Sequence, residues 1–176
     1  MIASSPWYAA TAHATLCTIR FDRYLLTGRV LVRSRLEVSL VLTITRRATF
    51  SAAHRLFRAD WDDQRNLDFF GRCANPGGHG HNYVLEVTVG GDPDPETGMI
   101  ADLKWVKEVM DQYVVDHVDH RNLNVDVEFM RSVIPTAENL ARIFWDRLVG
   151  PISERARLVR VRVQETENNA ATVEAS

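Results

Sequence analysis

The chain has 176 residues, of which 45% are apolar and 25% are charged, a composition typical of a single globular domain with a genuine core. The net charge of -2 and the lack of a long basic block argue against a nucleic-acid-binding protein. No run of roughly 18 apolar residues predicts a transmembrane helix. Two cysteines are too few for a disulfide framework, so we expect a reducing, cytoplasmic environment.

The segment 1–40 differs in composition from the rest of the chain. It contains two acidic residues, Asp22 and Glu37, against five arginines between positions 20 and 35. Three interpretations are open: an Arg-rich targeting peptide, an added strand or arm, or an upstream extension of the reading frame. We favour the extension because the patterned sequence begins near Leu42. The sequence therefore predicts one domain at 41–176, with 1–40 outside it.

Two strands are predicted in the first half of this domain. Leu42–His54 alternates between apolar and polar residues, as a strand with one buried face does. His79–Gly91 alternates in the same way. The connection at 55–78 is polar and punctuated by glycine and proline, so we interpret it as a long loop.

Two helices and two further strands follow. The first helix is expected to begin at the N-cap Asp102, and its apolar stripe includes His117. The second is expected to begin at the N-cap Thr136 and to end at Gly150-Pro151. The last strands are predicted at Val159–Gln164 and Ala170–Ala175. The order ββααββ predicts an α+β fold in which a four-stranded antiparallel sheet carries two helices on one face.

Three histidines lie in the first two predicted strands: His54 ends one strand, and His79 and His81 begin the other. Residues i and i+2 of a strand share a face, with Cα atoms about 6–7 Å apart, so His79 and His81 can reach one ion. Three imidazoles form an open Zn²⁺ site whose fourth position is left to water or substrate. The alternative is a set of polar core or edge histidines. We favour the metal, and zinc over iron or copper, because no carboxylate completes a facial triad and no methionine lies close in sequence.

Cys73 stands six residues before His79, in a polar segment rich in glycine and proline. The ordinary interpretation of a free cysteine is a small buried apolar side chain. A thiol close to a cation can instead act as a base or nucleophile. The spacing also allows Cys73 to be a fourth metal ligand, which would close the site and make it structural.

For several other acidic residues and histidines, the sequence evidence for a functional role is weaker than for the three histidines above. Asp116-His117 and Asp119-His120 are two Asp-His pairs, which suit acid–base chemistry, although taken alone they are better explained by the charged end of a helix. Glu138 and Glu165 are single carboxylates at the ends of predicted elements. A glutamate at a strand end can bind an amidine-like edge of a heterocycle through paired, charge-assisted hydrogen bonds.

Taken together, six separated segments resemble the 6-pyruvoyl-tetrahydropterin synthase / 6-carboxy-tetrahydropterin synthase family. They run in the family's order and span the chain from about Leu42 to Ser176. The matching segments are Phe50–Leu56, Cys73–Tyr83, Thr97–Leu103, Asp119–Leu123, Pro135–Leu140 and Glu165–Asn169.

The resemblance implies the tunnelling fold (T-fold), in which subunits close into a barrel with active sites between them. The usual assembly is a homohexamer built as a dimer of trimers. The resemblance also implies a zinc-dependent lyase whose Zn²⁺ is held by His54, His79 and His81. Its substrate would be 7,8-dihydroneopterin triphosphate, whose side-chain hydroxyls fill the open metal position. Inorganic triphosphate is then lost without a redox cofactor.

The remaining roles are also implied by the resemblance. Cys73 would be the base that abstracts a proton, and Asp119 and His120 would form the proton-transferring pair. Glu165 would anchor the pterin ring. Thr136 and Glu138 would lie nearby in the substrate site.

Several activities stay open within this resemblance. The five-residue gap between Cys73 and His79 is similar to that of the pyruvoyl branch, whereas the carboxy branch, which leads to deazapurines such as queuosine, typically has a shorter gap. Aldol cleavage of dihydroneopterin is a third activity. An alternative of another class is a non-catalytic zinc-binding module with Cys73 as the fourth ligand. Coordination by three nitrogens and an exchangeable oxygen would favour the enzyme.

Overall fold

The computed structural model describes residues 41–176, and their fold is built on one β-sheet. Within these residues five strands lie side by side in the order β3-β1-β2-β4-β5. Their bounds are Thr43–His54 (β1), His79–Gly90 (β2), Arg121–Asn122 (β3), Arg157–Gln164 (β4) and Ala170–Glu174 (β5). The extension predicted at 1–40 lies outside the described residues.

The longest pairing in the sheet joins β1 to β2, antiparallel over the whole of both strands. Phe50, Ala52 and His54 are buried, so the alternation predicted for the first strand is confirmed. The register places His54 directly opposite His79 and Phe50 opposite Tyr83. The end of β1 and the start of β2 are therefore adjacent, which brings the three histidines to one corner of the sheet.

The prediction of four antiparallel strands was wrong in one respect. Arg121 and Asn122 form the short strand β3, which pairs parallel to Ala52 and Ala53 of β1. The sheet is therefore mixed. A two-residue strand is too short to show a period in sequence, and its pairing depends on the residues that flank it.

A short helix, α1, occupies Asp63–Phe70, where the sequence predicted a loop. Asp62 is its N-cap, because its carboxylate accepts a hydrogen bond from the backbone N–H of Arg65 at 2.7 Å. The buried residue of α1 is Asn66 rather than an apolar stripe. The usual period of an amphipathic helix is therefore missing, although the capping residue was visible.

The helix predicted after Asp102 is α2, Leu103–Met110, and Asp102 is its N-cap as expected. It continues through a π-helical turn at Asp111–Val115 and one further turn to Val118. The wider turn brings Val118 to the core and leaves His117 exposed. The placement of His117 on the apolar stripe was therefore wrong.

The last helix, α3, spans Ala137–Ser153 with Thr136 as the predicted N-cap. The predicted end at Gly150-Pro151 was wrong, because Pro151 lies inside the final turn. A proline there removes one backbone hydrogen bond near the helix end. Ile152, which follows it, is fully buried in the core, and that burial favours the extra turn.

The helices α2 and α3 pack on the same face of the sheet. Phe50 stacks on Tyr83 with ring centroids 4.9 Å apart, and Phe144 of α3 contacts Phe50 edge to face at 6.0 Å. The opposite face is polar, as the hydrogen bond between the Thr45 and Thr88 hydroxyls shows. This two-layer arrangement confirms the α+β class. Among residues 41–176, no helix combines the length and apolar character needed to cross a bilayer.

We expect a chain that starts at Val41 to fold without the preceding segment. The residues from Leu42 to Ser176 form a compact unit with the core described above. Its melting temperature should lie within a few degrees of the full-length value, because the buried core described above is retained in the shorter chain. Circular dichroism melts and gel filtration of both chains test this. Aggregation or a large fall in melting temperature would instead indicate an N-terminal strand that covers a sheet edge.

Candidate functional site

Three imidazole rings converge at the corner where β1 ends and β2 begins. Each of His54, His79 and His81 offers one ring nitrogen, and these nitrogens lie within 4.8 Å of one another. The Nε2 atoms of His54 and His79 are 3.0 Å apart. Two nitrogens on one tetrahedral zinc ion are about 3.3 Å apart, given Zn–N bonds of about 2.0–2.1 Å. The cluster therefore has dimensions that suit a single metal ion.

His54 is held in the orientation that a metal ligand needs. Its Nδ1 lies 2.8 Å from the carbonyl oxygen of Pro135, and because a carbonyl only accepts, Nδ1 carries the proton. The lone pair is then on Nε2, which points to the other two histidines. The side chain is fully buried, and this burial is the main cause that lowers the pKa of His54, so the neutral form is favoured.

The other two histidines retain ring nitrogens without a partner. His79 Nδ1 and His81 Nε2 are both buried and make no hydrogen bond. A buried nitrogen without a partner is costly in a folded protein, and a bound cation would satisfy His81 Nε2. Burial lowers the pKa of His81 as well, which keeps the imidazole neutral and able to bind a metal.

Glu165 lies beside this cluster, although 84 positions separate it from His81 in the chain. Its Oε1 is 3.6 Å from His54 Nε2 and 3.9 Å from His81 Nε2. The sequence argument for zinc was that no carboxylate completes a facial triad. Among residues 41–176, the side chains close enough to share one ion are the three histidines, and Glu165 lies beside them. The side chain of Glu165 retains 19% of its exposure, so it is open to a ligand as well as to the cluster.

Tyr83 lies against His54 and His81, although its sequence pattern predicted only a strand residue. Its hydroxyl lies 3.3 Å from His54 Nδ1, and the side chain is fully buried. Burial is the main cause that raises the pKa of Tyr83, and the charges of Glu165 and Cys73 raise it further. The phenol therefore stays neutral. A signal existed in the sequence, because Tyr83 shares the parity of His79 and His81.

Cys73 lies in the turn after α1, beside the end of β1. It is a free, half-buried thiol, and its backbone carbonyl accepts a hydrogen bond from the N–H of Leu56, two residues beyond His54. Within residues 41–176, the group of side chains close enough to share one ion contains the three histidines and not Cys73. This geometry favours the open site over a site closed by sulfur.

Asp119 and His120 form a pair at the edge of β1, beside Ser51. Asp119 Oδ2 lies 2.9 Å from His120 Nδ1, and its Oδ1 accepts a hydrogen bond from the Ser51 N–H at 2.8 Å. That backbone hydrogen bond is the largest cause that lowers the pKa of Asp119. His120 has a positive φ of 57° and a side chain that is 81% exposed. A non-glycine residue in this conformation is often functional.

The groove at this edge has a volume of about 490 Å³ and includes His120 and His81. It is lined mainly from the sheet face opposite the helices, by Ser51, Ala53 and Asn82, because these residues alternate with the buried ones. The structure thus brings the Asp–His pair close to β1. The pair lies on a different side of the strand from His54.

Thr136 and Glu138 stand at the start of α3, immediately after the carbonyl that binds His54. The Thr136 hydroxyl accepts a hydrogen bond from the Asn139 N–H at 3.3 Å, so this side chain caps the helix. Glu138 is exposed in the first helical turn. Sequence reasoning missed the part of Pro135, because a backbone carbonyl carries no signal of its own in a sequence.

The fold and the cluster together define an α+β protein with an open three-histidine site able to hold a metal ion. A sequence model described as 6-pyruvoyl tetrahydropterin synthase matches residues 43–176. The human 6-pyruvoyl tetrahydrobiopterin synthase is 44% identical over 128 residues, covering 72% of this chain and 86% of the human one. The chain belongs to the 6-pyruvoyl tetrahydropterin synthase family, as its motifs predicted.

Solved structures give the same result. The 6-pyruvoyl tetrahydropterin synthase of Caenorhabditis elegans matches with a TM-score of 0.72 and 41% identity, covering 78% of this chain and 97% of that one. The predicted T-fold is thereby confirmed. The 6-carboxy-5,6,7,8-tetrahydropterin synthase of Aquifex aeolicus is also similar, at 31% identity over 144 residues, covering 68% of this chain and 86% of that one.

Proposed function

We propose that this protein is a zinc-dependent lyase that converts 7,8-dihydroneopterin triphosphate, with loss of triphosphate, to a 6-substituted tetrahydropterin. The observation that carries the proposal is the convergence of three imidazoles on one point in a member of this family. Cys73 and an Asp–His pair lie on segments that border this point.

The three histidines fit a zinc ion. Three nitrogen ligands with an open fourth position are typical of catalytic zinc, and the 3.0 Å separation of two Nε2 atoms agrees with that geometry. The hydrogen bond of His54 to Pro135 supplies the outer contact that orients a metal-binding imidazole. When bound, the ion supplies Lewis-acid polarisation of substrate oxygens.

The acid–base work is assigned to residues that do not hold the metal. Cys73, in its thiolate form, takes a proton from the three-carbon side chain of the substrate, and its sulfur is free of any disulfide and half-buried. His120, held by Asp119, returns or carries a proton at its exposed imidazole. Asp119 is ionised because the Ser51 N–H stabilises its carboxylate, so it fixes the orientation of the His120 ring.

The pterin ring is assigned to Glu165, with Thr136 and Glu138 close by. The carboxylate of Glu165 sits at the rim of the histidine cluster, so a ring bound there would present its side chain toward the metal. A charge-assisted pair of hydrogen bonds to an amidine-like edge is the interaction that such a carboxylate makes best.

A homohexameric barrel with active sites between subunits accompanies this proposal. Its support is the placement of His120 on the side of β1 opposite His54, which leaves the pair free to serve a neighbouring subunit. Among the described strands, β3 covers only the last part of β1, so most of that edge is open to pairing. A cytoplasmic location, expected from the low cysteine content, stays a prediction.

The pyruvoyl product is favoured over the carboxy product. The human pyruvoyl relative is 44% identical, whereas the carboxy relative from Aquifex aeolicus is 31% identical. The gap between Cys73 and His79 agrees with this choice. A role in queuosine-type deazapurine biosynthesis is the alternative that the carboxy product would require.

Product analysis tests the proposal directly. Zinc-loaded protein is incubated with 7,8-dihydroneopterin triphosphate, and the products are identified by mass with metal-free protein as the control. We expect inorganic triphosphate and 6-pyruvoyl-tetrahydropterin. Acetaldehyde with 6-carboxy-tetrahydropterin would assign the other branch, and 6-hydroxymethyl-7,8-dihydropterin with glycolaldehyde triphosphate would assign aldol cleavage. No turnover by zinc-loaded protein would overturn the assignment as a lyase.

A further inference from the structure

The side chain of Asn124 makes two hydrogen bonds to the backbone of Arg55, the residue that follows the proposed metal ligand His54. Its Oδ1 accepts a hydrogen bond from the N–H of Arg55 at 2.7 Å, and its Nδ2 donates to the carbonyl of the same residue at 2.9 Å. Arg55 immediately follows His54. A two-way contact of this kind fixes both the position and the direction of the chain at the end of β1.

These two hydrogen bonds continue the pairing between β1 and β3 beyond its last backbone contact. His120 N–H donates to the Ser51 carbonyl at 2.6 Å, and Leu123 N–H donates to the Ala53 carbonyl at 2.8 Å. The side chain of Asn124 makes the next contact in this series, at Arg55, where the backbone of β3 no longer pairs. The segment that carries the Asp–His pair is therefore fixed to β1 as far as the residue after His54.

Arg55 also contacts the segment that carries the thiol. Its Nε donates to the Ala74 carbonyl at 2.8 Å, and the following residue, Leu56, donates its N–H to the Cys73 carbonyl. The backbone at Arg55 thus lies where three segments meet: the metal-ligand strand, the cysteine turn and the loop after the Asp–His pair.

We infer that Asn124 is a positioning residue, which holds the end of β1, and with it His54, in place relative to Cys73. This inference rests on the proposed function, because the groups it positions are those assigned there. The side chain of Asn124 forms its hydrogen bonds with the backbone of Arg55, and Asn124 is not among the residues that line the groove beside His120. Its effect passes through the backbone of Arg55. Loss of such an outer contact typically weakens metal binding by roughly 10–100-fold.

A second asparagine, Asn66 in α1, provides a matched control. Asn66 makes the same two-way contact with Arg58, accepting from its N–H at 2.8 Å and donating to its carbonyl at 3.0 Å. Asn66 is buried and Asn124 is half-buried, and the side chain of each makes a pair of hydrogen bonds to the backbone of one arginine. It differs in where it acts, because Arg58 lies four residues beyond His54 rather than one.

The experiment compares Asn124→Leu with Asn66→Leu. Metal-free protein of each is titrated with Co²⁺ in competition with a chelator, and the visible spectrum of the bound ion reports its coordination. We expect both variants to melt several degrees lower than the unaltered chain. Asn124→Leu should bind Co²⁺ roughly 10–100-fold more weakly with a changed spectrum, while Asn66→Leu should stay within about twofold.

Asn124→Asp adds a test by partial rescue. It keeps the oxygen that accepts from the Arg55 N–H and loses the donor, so its Co²⁺ affinity should fall between those of the unaltered chain and Asn124→Leu. An unchanged affinity and spectrum in folded Asn124→Leu would overturn the inference, as would equal losses in Asn66→Leu. If the unaltered chain itself bound no Co²⁺, the proposed function would fail instead, and the two failures are thus distinguishable.

Discussion

Replacing His79 by Ala is expected to abolish metal retention and turnover together. The substitution removes one of the three proposed nitrogen ligands, so the loss should exceed the roughly 100-fold typical of an outer contact. The fold should survive, because His79 is only half-buried and lies at the start of β2. Elemental analysis after gel filtration gives the zinc content per chain, and about one ion is expected for the unaltered protein.

The control for this variant is His117→Ala. His117 is exposed, lies outside the three-histidine group and contacts the Gln112 carbonyl, so its removal should leave zinc content and turnover nearly unchanged. Circular dichroism shows whether each variant is folded. Full zinc content in both His79→Ala and His81→Ala would refute the assignment of these ligands.

The strands and most of the histidine cluster were predictable because strand residues alternate with a period of two. The parity of Phe50, Ala52 and His54 followed from the sequence, as did the shared face of His79 and His81. The two N-caps, Asp102 and Thr136, were visible for a similar reason. Each of them is a local signal that depends on a few neighbouring residues.

What the sequence concealed depends on contacts between distant or atypical residues. The buried residue of α1 is Asn66, whose amide forms hydrogen bonds with backbone groups. The helix therefore has no apolar stripe from which it could be predicted. The π-helical turn at Asp111–Val115 moved Val118 into the core in place of His117. Glu165 lies beside the histidines because β4 pairs with β2. No short-range sequence pattern predicts which strands pair.

The second large effect is expected from Cys73→Ala, which should keep zinc and lose most turnover. Cys73 is outside the group of side chains that can share the ion, so the metal site should stay intact. Loss of an acid–base group typically lowers the rate by about 10²–10⁴-fold. Asp119→Asn and His120→Gln should lose turnover in the same range, because that pair is assigned to proton transfer.

Measuring zinc content and turnover on the same Cys73→Ala sample decides between the two roles open to the sulfur. Retained zinc with slow turnover assigns a base, whereas lost zinc would place the sulfur among the ligands and favour a closed structural site. His117→Gln is the matched control for His120→Gln, since both histidines are exposed and each follows an aspartate. An equal loss in the two variants would show that the Asp119–His120 pair has no special part in the reaction.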